Sequence, residues 1–589
     1  MSNKLINISA AVLLGFMFIM AITSMAGDSL TMDEVAHLPA GYSYLTQQDM
    51  RLNPEHPPLI KDLSAIPLLL MKNEINFPSQ IDAWQKDVNG QWVFGYNFLY
   101  QSNNPADKMI FRARIPMVLV LMVLGFYIFK WTKELFGEKA ALLATFLYSF
   151  SPTFLTHGRL VTTDVGAAAG MFIATYYFLK ALDNPTKKNI ILSGLSFGIA
   201  QLCKFSAVLL IPFFFIVAFG HWLLKSDTLK NIAKNMILIM IIGLAVIGLV
   251  YQFHVWNYPA VRQYNDTLVY LKDYPGFIQQ PILWLISKPI LRAYAQYFTG
   301  VLMVLHRAAF GNTMYFMGEV SNLGWKSYFP IVYLIKEPMT LHLLTLVAFL
   351  YALGVIKKYN WQERLLSLKA FAKEYFNQLA ILLFLGIYWA SSLSSSLNLG
   401  VRHLLPIFPF VYMLVSGAIS KILKEPFLKL KTFLLGFLIA SQALSIIAIY
   451  PHFMAYFNEL AGGPENGYIF SVDSNLDWGQ DLKRLAQWTN KVTCTDPGTC
   501  QKIDKIYVDY FGGGDAKYYL KGKYIPWQGD RKEEEFPKGN YLAVSASSLQ
   551  IGRGVPAKGF NQATGNYNWL NKYQPVDKIG YSIFIYYID

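Results

Sequence analysis

Charged and imidazole side chains gather at four places in this sequence, each beside a long apolar segment. A carboxylate can take the proton from a hydroxyl nucleophile, and lysine and arginine can hold a phosphate anion. Carboxylates that face several cations therefore suit a transfer reaction in which a phosphate is bound while a hydroxyl attacks. The four clusters are "TMDEVAH" with Asp33 and Glu34, "NPEHPPLIK" with Glu55, His56, Pro57, Pro58 and Lys61, "HGRLVTTD" with His157, Arg159 and Asp164, and "NLGVRHLLP" with Arg402 and His403.

Each cluster taken alone also has a structural explanation. The acidic pair could cap a helix, the proline pair could be only a rigid turn, and the cations could extend from helix ends to the membrane interface. His56, His157 and His403 could form a metal set, but no two of them have a zinc-like spacing. The sequence therefore indicates no metal or cofactor, and it leaves a divalent metal open. The functional interpretation is favoured because all four clusters are expected on one side of a membrane.

The composition is that of a chain solvated mostly by lipid. Of 589 residues, 54% are apolar and 15% are charged, against about 25% charged residues in a soluble domain. A bilayer core needs about 20 mostly apolar residues per helix. Such runs predict eleven transmembrane helices, which begin near residues 7, 113, 139, 164, 189, 205, 235, 331, 377, 403 and 432.

Loops rich in lysine and arginine alternate with loops that are not. The formal charge of +14 comes entirely from the membrane part, because 15 basic side chains balance 15 acidic ones from residue 451 onward, so we expect no nucleic-acid partner. The positive-inside rule places the basic loops in the cytoplasm. It gives an N-in, C-out topology with all four clusters outside. The basic loops contain Lys130, Lys133 and Lys139; Lys180, Lys187 and Lys188; Lys225, Lys230 and Lys234; Lys357, Lys358, Arg364, Lys369 and Lys373; and Lys421, Lys424, Lys429 and Lys431.

Two outer loops and a C-terminal domain are expected outside the membrane. Residues 1–450 form the predicted transmembrane module, and its outer loops 27–111 and 255–328 contain aromatic pieces that suit helices lying in the interface. Residues 451–589 combine one amphipathic helix, "LDWGQDLKRLAQW", with the strand-like runs "KIYVDYF", "NYLAVSAS" and "YSIFIYYI". The fold class predicted is a polytopic α-helical membrane protein with a small extracytoplasmic α/β domain.

The cysteines differ in their surroundings. Cys494 and Cys500 bracket the turn-rich loop "CTDPGTC". They could be two free thiols, but the outer side of a membrane is an oxidising compartment, which favours a disulfide between them. Cys203 lies in an apolar segment, where it is expected to be a small buried side chain.

The stretch "DSNLDWGQD" could be interpreted as a calcium-binding loop. Asp473, Asn475 and Asp477 have the spacing of a calcium-binding loop, but Trp478 occupies the position at which that loop needs glycine. We therefore expect no calcium site. The alternative is an N-capped helix that Ser474 or Asn475 begins and whose N-terminus Asp477 favours. A contribution to acceptor binding is left open.

The order and spacing of these motifs resemble the GT-C membrane glycosyltransferases, specifically the superfamily of protein O-mannosyltransferases and aminoarabinose transferases. Members carry an Asp-Glu pair early in the first outer loop, as at Asp33–Glu34. The mannosyltransferases follow it with His-Pro-Pro-Leu-x-Lys, which His56 to Lys61 match, and with an Arg and an Asp spaced as Arg159 and Asp164 are. The late "RHLLPIFP" is similar to an Arg-x-x-x-Pro-x-x-Pro element of bacterial relatives. The resemblance spans roughly residues 1–450, and "NELAGGPENGY" and "DSNLDWGQDL" are similar to stretches of bacterial members with an extra outer domain.

The resemblance implies that a sugar moves from a polyprenyl-phosphate carrier to an acceptor hydroxyl or amine by a single inverting displacement. The site would lie at the extracytoplasmic face of a bacterial inner membrane, among membrane lipids. It would need no nucleotide, because the sugar is activated earlier. The roles implied are Asp33 as general base with Glu34 and Asp164 as further catalytic carboxylates, Lys61, Arg159, Arg402 and His403 as ligands of the donor phosphate, and Glu55, His56, Pro57 and Pro58 as positioning residues.

Two other classes of function are alternatives. A transporter or flippase of a polyprenyl-linked or polar substrate tends to show repeated halves and ionisable groups near the membrane midplane, whereas the charges here gather at one face. A sensor or assembly protein would leave the charges of the first outer loops unexplained. The sequence identifies neither the sugar nor the acceptor, which can be a lipid, a glycan or a protein.

Overall fold

The computed structural model describes residues 3–225, 228–357, 364–423, 427–494 and 500–589. Within these ranges nine helices are long and apolar enough to cross a membrane, and a small sheet-containing domain follows them. The predicted fold class is therefore confirmed. The nine helical segments are Asn3–Gly27, Ala106–Phe136, Thr163–Asp183, Phe205–Lys225, Leu229–His254, Met339–Lys357, Phe376–Ser394, Val401–Ile422 and Leu428–Ala448.

Two of the eleven predicted spans correspond to shorter helices. The run that begins near residue 139 is divided into Glu138–Ser149 and Pro152–His157. The break lies at Ser151, whose hydroxyl caps the second helix, and at a proline that occupies the first helical position. The run near residue 189 forms the helix Lys187–Cys203, which has only 17 residues. The count of eleven spans and the N-in, C-out orientation therefore stay predictions.

The helix Thr163–Asp183 lies at the centre of the bundle, where 83% of its apolar window is buried. It packs closely against Lys187–Cys203 because its first turns contain the small residues "GAAAG". A Cβ added at Gly170 would lie 2.9 Å from the Cα of Ala200. Small side chains at such contacts let helix backbones approach each other in a membrane, and here they fix the helix whose first turn carries Asp164.

The two long loops that are predicted to lie outside the membrane, here called the outer loops, are largely helical. The first contains Glu34–Gln47 and Leu59–Leu69, and the second contains Ala260–Tyr270, Gly276–Ile286 and Arg292–Phe310. Apolar side chains of the second loop are exposed, with Phe277 at 78% and Trp284 at 57%. That exposure suits helices that lie against lipid, as the aromatic composition predicts.

The C-terminal residues form a mixed sheet, and the three predicted strand runs form three of its five strands. The five-stranded sheet has the order β6 (Tyr524–Pro526), β5 (Ile506–Asp509), β7 (Asn540–Ser545), β10 (Ile583–Ile588) and β9 (Asp577–Ile579). Strand β5 is parallel to β6 and β7, and β10 is antiparallel to β7 and β9. The runs "KIYVDYF", "NYLAVSAS" and "YSIFIYYI" contain β5, β7 and β10. The described strands are β1 Met314–Phe316, β2 Glu319–Ser321, β3 Val492–Cys494, β4 Cys500–Lys502, β5 Ile506–Asp509, β6 Tyr524–Pro526, β7 Asn540–Ser545, β8 Val555–Pro556, β9 Asp577–Ile579 and β10 Ile583–Ile588.

The hairpin β1–β2 belongs to the second outer loop but pairs with the C-terminal domain. Strand β2 is parallel to β8, with Glu319 opposite Val555 and Val320 opposite Pro556. The side chain of Val320 is fully buried in the same apolar cluster as strand residues of the domain. The second outer loop therefore packs against the C-terminal domain.

The predicted amphipathic helix is shorter than its sequence pattern. It spans only Leu482–Trp488, while Asp473–Asn475 form a separate 3₁₀ turn. The carboxylate of Asp477 accepts a hydrogen bond from the backbone N–H of Ser547 instead of lying at a helix start. The prediction that Ser474 or Asn475 caps this helix is therefore wrong, because tertiary hydrogen bonds hold the segment in turns and bends that end before the helix begins.

The cysteines are placed as follows. Cys203 is buried and free. The side chains of Cys494 and Cys500 lie outside the described part of the structure, so their disulfide stays a prediction. The backbone places the two residues opposite each other on β3 and β4, at the Cα spacing that an antiparallel pair shares with disulfides.

The topology can be tested with single cysteines in a background without Cys203, Cys494 and Cys500. Lys187 and Asp530 are both exposed, but the positive-inside rule places them on opposite sides of the membrane. An impermeant maleimide applied to intact cells should label Asp530→Cys and leave Lys187→Cys unmodified until the cells are lysed. Equal labelling of both, or the reverse pattern, would contradict the orientation.

Candidate active site

A cavity of about 450 Å³ opens at one end of the bundle. The chain reaches it from several directions, because the first span ends there and the helix Thr163–Asp183 begins there. Its lining combines charged side chains, here called the polar wall, with apolar ones, called the apolar wall, so the cavity suits an amphiphilic molecule. The charged residues of the polar wall are Asp33, Glu55, Lys204, Arg307 and Arg402, and the apolar wall includes Phe205, Val208, Leu209, Val301, Val304, Leu305 and Phe329.

Asp33 and Arg402 form an ion pair in this wall. The Oδ2 atom of Asp33 lies 2.7 Å from Nη1 of Arg402, and the side chain of Asp33 is 22% exposed. Burial acts to raise the pKa of the Asp33 carboxyl, but Arg402 and His37 outweigh it and hold the pKa below its usual value. Asp33 is therefore an ionised carboxylate that faces the cavity and can accept a proton there.

Asp164 lies just behind the cavity wall, beside two of its cations. Its buried carboxylate forms an ion pair with Lys204, and its Oδ2 atom lies 3.3 Å from Nη1 of Arg402. The two cations thus share one carboxylate, which fixes them side by side at the cavity. Asp164 itself is not part of the cavity lining, and its predicted catalytic role stays a prediction.

Lys204 was not among the residues that the sequence motifs indicated. It follows directly after the helix Lys187–Cys203, and 17% of its side chain is exposed towards the cavity. One signal could have found it, because an isolated lysine on the side opposite to the lysine-rich loops runs against the positive-inside pattern. Arg307, on the helix Arg292–Phe310, carries no comparable signal.

Glu55 forms an ion pair with Arg307, and both residues line the cavity. Its Oε2 atom lies 3.3 Å from Nη1 of Arg307, and its Oε1 atom accepts a hydrogen bond of 3.1 Å from Gln91. The side chain of Arg307 is 38% exposed, which makes it the most accessible cation of the polar wall. The first and second outer loops therefore meet at the cavity through this pair.

The histidines at the cavity add little charge. His56 packs edge-to-face against His37, with ring centroids 4.9 Å apart. Burial lowers the pKa of both imidazoles, so they are neutral at pH 7. His403 lines the cavity beside Arg402, and its backbone carbonyl accepts a hydrogen bond from Tyr388.

Lys61 is fully buried and is absent from the cavity wall. Its Nζ donates to the backbone carbonyl and the side-chain Oδ1 of Asn53, at 2.9 and 2.8 Å, and to the carbonyl of His56 at 2.8 Å. The structure therefore corrects the expectation that Lys61 binds phosphate. Lys61 instead fixes the loop that carries Glu55 and His56. Pro57 and Pro58 are buried at the end of that loop, just before the helix Leu59–Leu69.

Glu34 is also fully buried and directed away from the cavity. Its carboxylate receives Nε and Nη2 of Arg114 at 2.8 and 2.6 Å, together with the backbone N–H groups of Val161 and Thr31 and the hydroxyl of Thr31. A carboxylate with all its acceptor positions occupied cannot take a proton from a substrate. The expectation of a catalytic role for Glu34 is therefore corrected to a structural one.

Arg159 also lies outside the cavity. It is buried, and it forms an ion pair with Asp28 and donates to the carbonyl of Leu155. The second oxygen of Asp28 lies 2.7 Å from Nη2 of Arg484, in the C-terminal domain. Arg159 thus links the bundle to the outer domain rather than to a donor phosphate.

Among the residues that the structure describes, no group of three or more His, Cys, Asp or Glu side chains could hold a metal ion. His56, His157 and His403 do not converge on one point: His157 packs against Trp478, while the other two line the cavity.

Comparison with known proteins gives one family match and several structural likenesses. Residues 106–256 match the family described as dolichyl-phosphate-mannose-protein mannosyltransferase. The matched segment is less than half of the chain, and it includes Arg159, Asp164 and Lys204. No functionally curated protein is significantly similar to the chain.

The solved structures that are similar share little sequence with it. The Saccharomyces cerevisiae protein O-mannosyltransferase Pmt1-Pmt2 complex bound to the sugar donor is 16% identical, over 44% of this chain and 34% of the yeast chain, with a TM-score of 0.33. The Archaeoglobus fulgidus oligosaccharyltransferase in complex with Zn and sulfate is 13% identical, over 90% and 68%, with a TM-score of 0.41. ArnT from Cupriavidus metallidurans bound to undecaprenyl phosphate is 13% identical, over 100% and 98%, with a TM-score of 0.29.

The chain therefore spans about a third of the length of the yeast protein it matches, and all three TM-scores are below 0.5, so the structural likenesses identify no activity. The family match concerns the bundle that carries Asp164 and Lys204. It confirms the likeness to mannosyltransferases that the motifs predict: over residues 106–256 this multi-pass membrane protein is similar to the family described as dolichyl-phosphate-mannose-protein mannosyltransferase.

Proposed function

We propose that the protein transfers a sugar from a polyprenyl-phosphate carrier to an acceptor hydroxyl or amine at the extracytoplasmic face of the membrane. The observation that carries this proposal is the cavity, whose lining combines an ionised carboxylate and three cations with apolar side chains. A lipid-linked sugar phosphate has the same division into an anionic head and an apolar tail. The family match supports the reaction class.

The cations of the polar wall give the donor phosphate its binding site. In this proposal Lys204, Arg307 and Arg402 hold the phosphate through charge-assisted hydrogen bonds, and His403 lies beside them as a neighbouring polar group. Lys204 and Arg307 thus replace Lys61 and Arg159 in the role that the motifs implied. The apolar wall receives the first part of the prenyl chain, whose burial is favourable.

The chemistry then needs one base and one stabilised leaving group. Asp33 accepts the proton of the acceptor O–H or N–H, and the freed electron pair forms the new bond to the anomeric carbon. The bond from that carbon to the phosphate oxygen breaks, and its electron pair leaves with the polyprenyl phosphate. Cations at that oxygen stabilise the charge that develops on it. One displacement inverts the anomeric configuration.

Replacement of Asp33 tests the base. Asp33→Asn keeps the shape of the side chain but removes the proton acceptor, so turnover of a polyprenyl-phosphate sugar by the purified protein should fall about 10²- to 10⁴-fold. Donor affinity should be retained, because the phosphate is held by cations. Turnover and donor affinity in nanodiscs give both quantities.

Glu34→Gln is the matched control for Asp33→Asn. It leaves the buried guanidinium of Arg114 without its carboxylate, and breaking a buried pair in this way costs about 3–5 kcal/mol of stability. The control should therefore lower the melting temperature, and whatever protein remains folded should turn over donor. Near-normal turnover of Asp33→Asn would remove Asp33 from the mechanism.

Replacement of Arg307 tests the phosphate site. Arg307→Gln removes the most exposed cation of the cavity, so the KM for the donor should rise about tenfold, which corresponds to the loss of one charge-assisted hydrogen bond of about 1.4 kcal/mol. Arg262→Gln is the control, because Arg262 pairs with Asp266 on the same outer loop but lies outside the cavity wall. An unchanged KM in Arg307→Gln, or an equal rise in the control, would contradict the assignment.

A further inference from the structure

A segment of the C-terminal domain lies between the two parts of the chain that carry Asp33 and Arg402. It runs from Ser474 to Gln480, within the stretch "DSNLDWGQD". Its side chains are buried, and Trp478 is the largest fully buried side chain of the described residues. The proposed chemistry has so far given this segment no role.

On one side the segment holds Arg402. The Nε atom of Arg402 donates to the hydroxyl of Ser474 at 3.1 Å, and the guanidinium carbon lies 4.2 Å from the ring centroid of Trp478. Asn475 accepts a hydrogen bond of 2.9 Å from the backbone N–H of Val401. The contact is close, since a Cβ added at Gly400, whose φ is +148°, would lie 2.3 Å from Oγ of Ser474.

On the other side the segment holds the chain that leads into Asp33. The backbone N–H of Met32 donates to the carbonyl of Trp478 at 3.0 Å. Ser29 donates its N–H to the carbonyl of Gln480 at 2.9 Å and its hydroxyl to the carbonyl of Gly479 at 2.7 Å. One short segment thus binds the neighbours of both members of the ion pair.

We propose that Ser474 and Trp478 are positioning residues that hold Arg402 against Asp33, so that the C-terminal domain completes the active site. The serine fixes Nε and the tryptophan ring fixes the guanidinium plane, which leaves Nη1 for Asp33 and Asp164. An arginine stacked on an aromatic face is attracted electrostatically by the ring. The inference rests on the proposed function, because it names what sets the geometry of that site.

The charges around Asp33 make this role measurable. Four ionisable groups act on its carboxylate: Arg402 from the helix that begins at Val401, His37 from Glu34–Gln47, Asp164 from Thr163–Asp183, and Asp473 from the C-terminal domain. If Arg402 loses its supports, its attraction weakens while the repulsion from Asp164 remains. The pKa of Asp33 must then rise.

The experiment measures the protonation of Asp33 without relying on turnover. Carbodiimide activation needs a protonated carboxyl, so the labelling of Asp33 with carbodiimide and an amine, followed against pH by peptide mass spectrometry, reports its pKa. The full-length protein in nanodiscs is compared with Ser474→Ala and Trp478→Phe. We expect the labelling midpoint to move up by about one pH unit in both variants, since an opposite charge within a few ångströms lowers an Asp pKa by about one to three units.

Two controls separate positioning from general stability. Ser548→Ala removes a hydroxyl that binds Asp509, and Trp527→Phe trims a buried tryptophan whose ring packs on Tyr507 and Phe536; both lie in the same domain and outside the cavity wall. They should lower the melting temperature as the test variants do, with the midpoint of Asp33 unchanged.

An unshifted midpoint in Ser474→Ala and Trp478→Phe, or an equal shift in the controls, would overturn the inference. Failure of the proposed function has a different signature. If Asp33→Asn keeps full turnover, Asp33 is not the base, yet the labelling midpoints still decide whether the segment positions Arg402. If both hold, the acid limb of the turnover profile moves to higher pH in the two test variants by the same interval as the labelling midpoint.

Discussion

Several buried charges of this protein form ion pairs, and these pairs join three parts of the chain. Asp28, just after the first span, lies between Arg159 of the bundle and Arg484 of the C-terminal domain. Glu34 and Arg114 form a second buried pair beside it. Removing one partner of such a pair leaves an uncompensated charge, which costs far more than the pair gains. The network therefore ties the outer loop, the bundle and the domain into one arrangement, and the cavity depends on that arrangement.

The network also explains why two adjacent carboxylates behave differently. Asp33 and Glu34 are neighbours, but the helix that begins at Glu34 directs them to opposite sides. Glu34 is saturated by Arg114 and backbone donors, whereas Asp33 has one arginine and an open face to the cavity. The carboxylate of Glu34 anchors the start of the helix. Its neighbour Asp33 is thereby held at a fixed place in the cavity wall.

Apolar runs and strand patterns were sufficient to predict the helical membrane module and the strands β5, β7 and β10. Shorter helices were harder to predict, because caps and prolines divide a run that is continuous in hydropathy, as at Ser151. Five of the predicted site residues line one cavity: Asp33, Glu55, His56, Arg402 and His403. The sequence could not predict the ion pair between Asp33 and Arg402, because the two residues are far apart along the chain.

The predicted roles of Lys61, Arg159 and Glu34 could not be judged from sequence. The sequence does not distinguish a lysine that binds carbonyl oxygens from one that binds a substrate. Only the structure shows that the ammonium of Lys61 donates to the carbonyl oxygens of Asn53 and His56. The positioning role proposed for Ser474 and Trp478 could not be predicted from the sequence for another reason. Their contact with Arg402 joins distant parts of the chain, and their motif is equally compatible with a helix start.

The most direct test of the account uses proteoliposomes loaded with a polyprenyl-phosphate sugar that is labelled in both the sugar and the lipid. The account predicts that the purified protein, given membrane acceptors, separates the two labels, with polyprenyl phosphate left in the bilayer and the sugar linked with inverted configuration to an acceptor. Movement of the intact donor across the bilayer, with both labels still joined, would contradict a transferase and indicate a flippase.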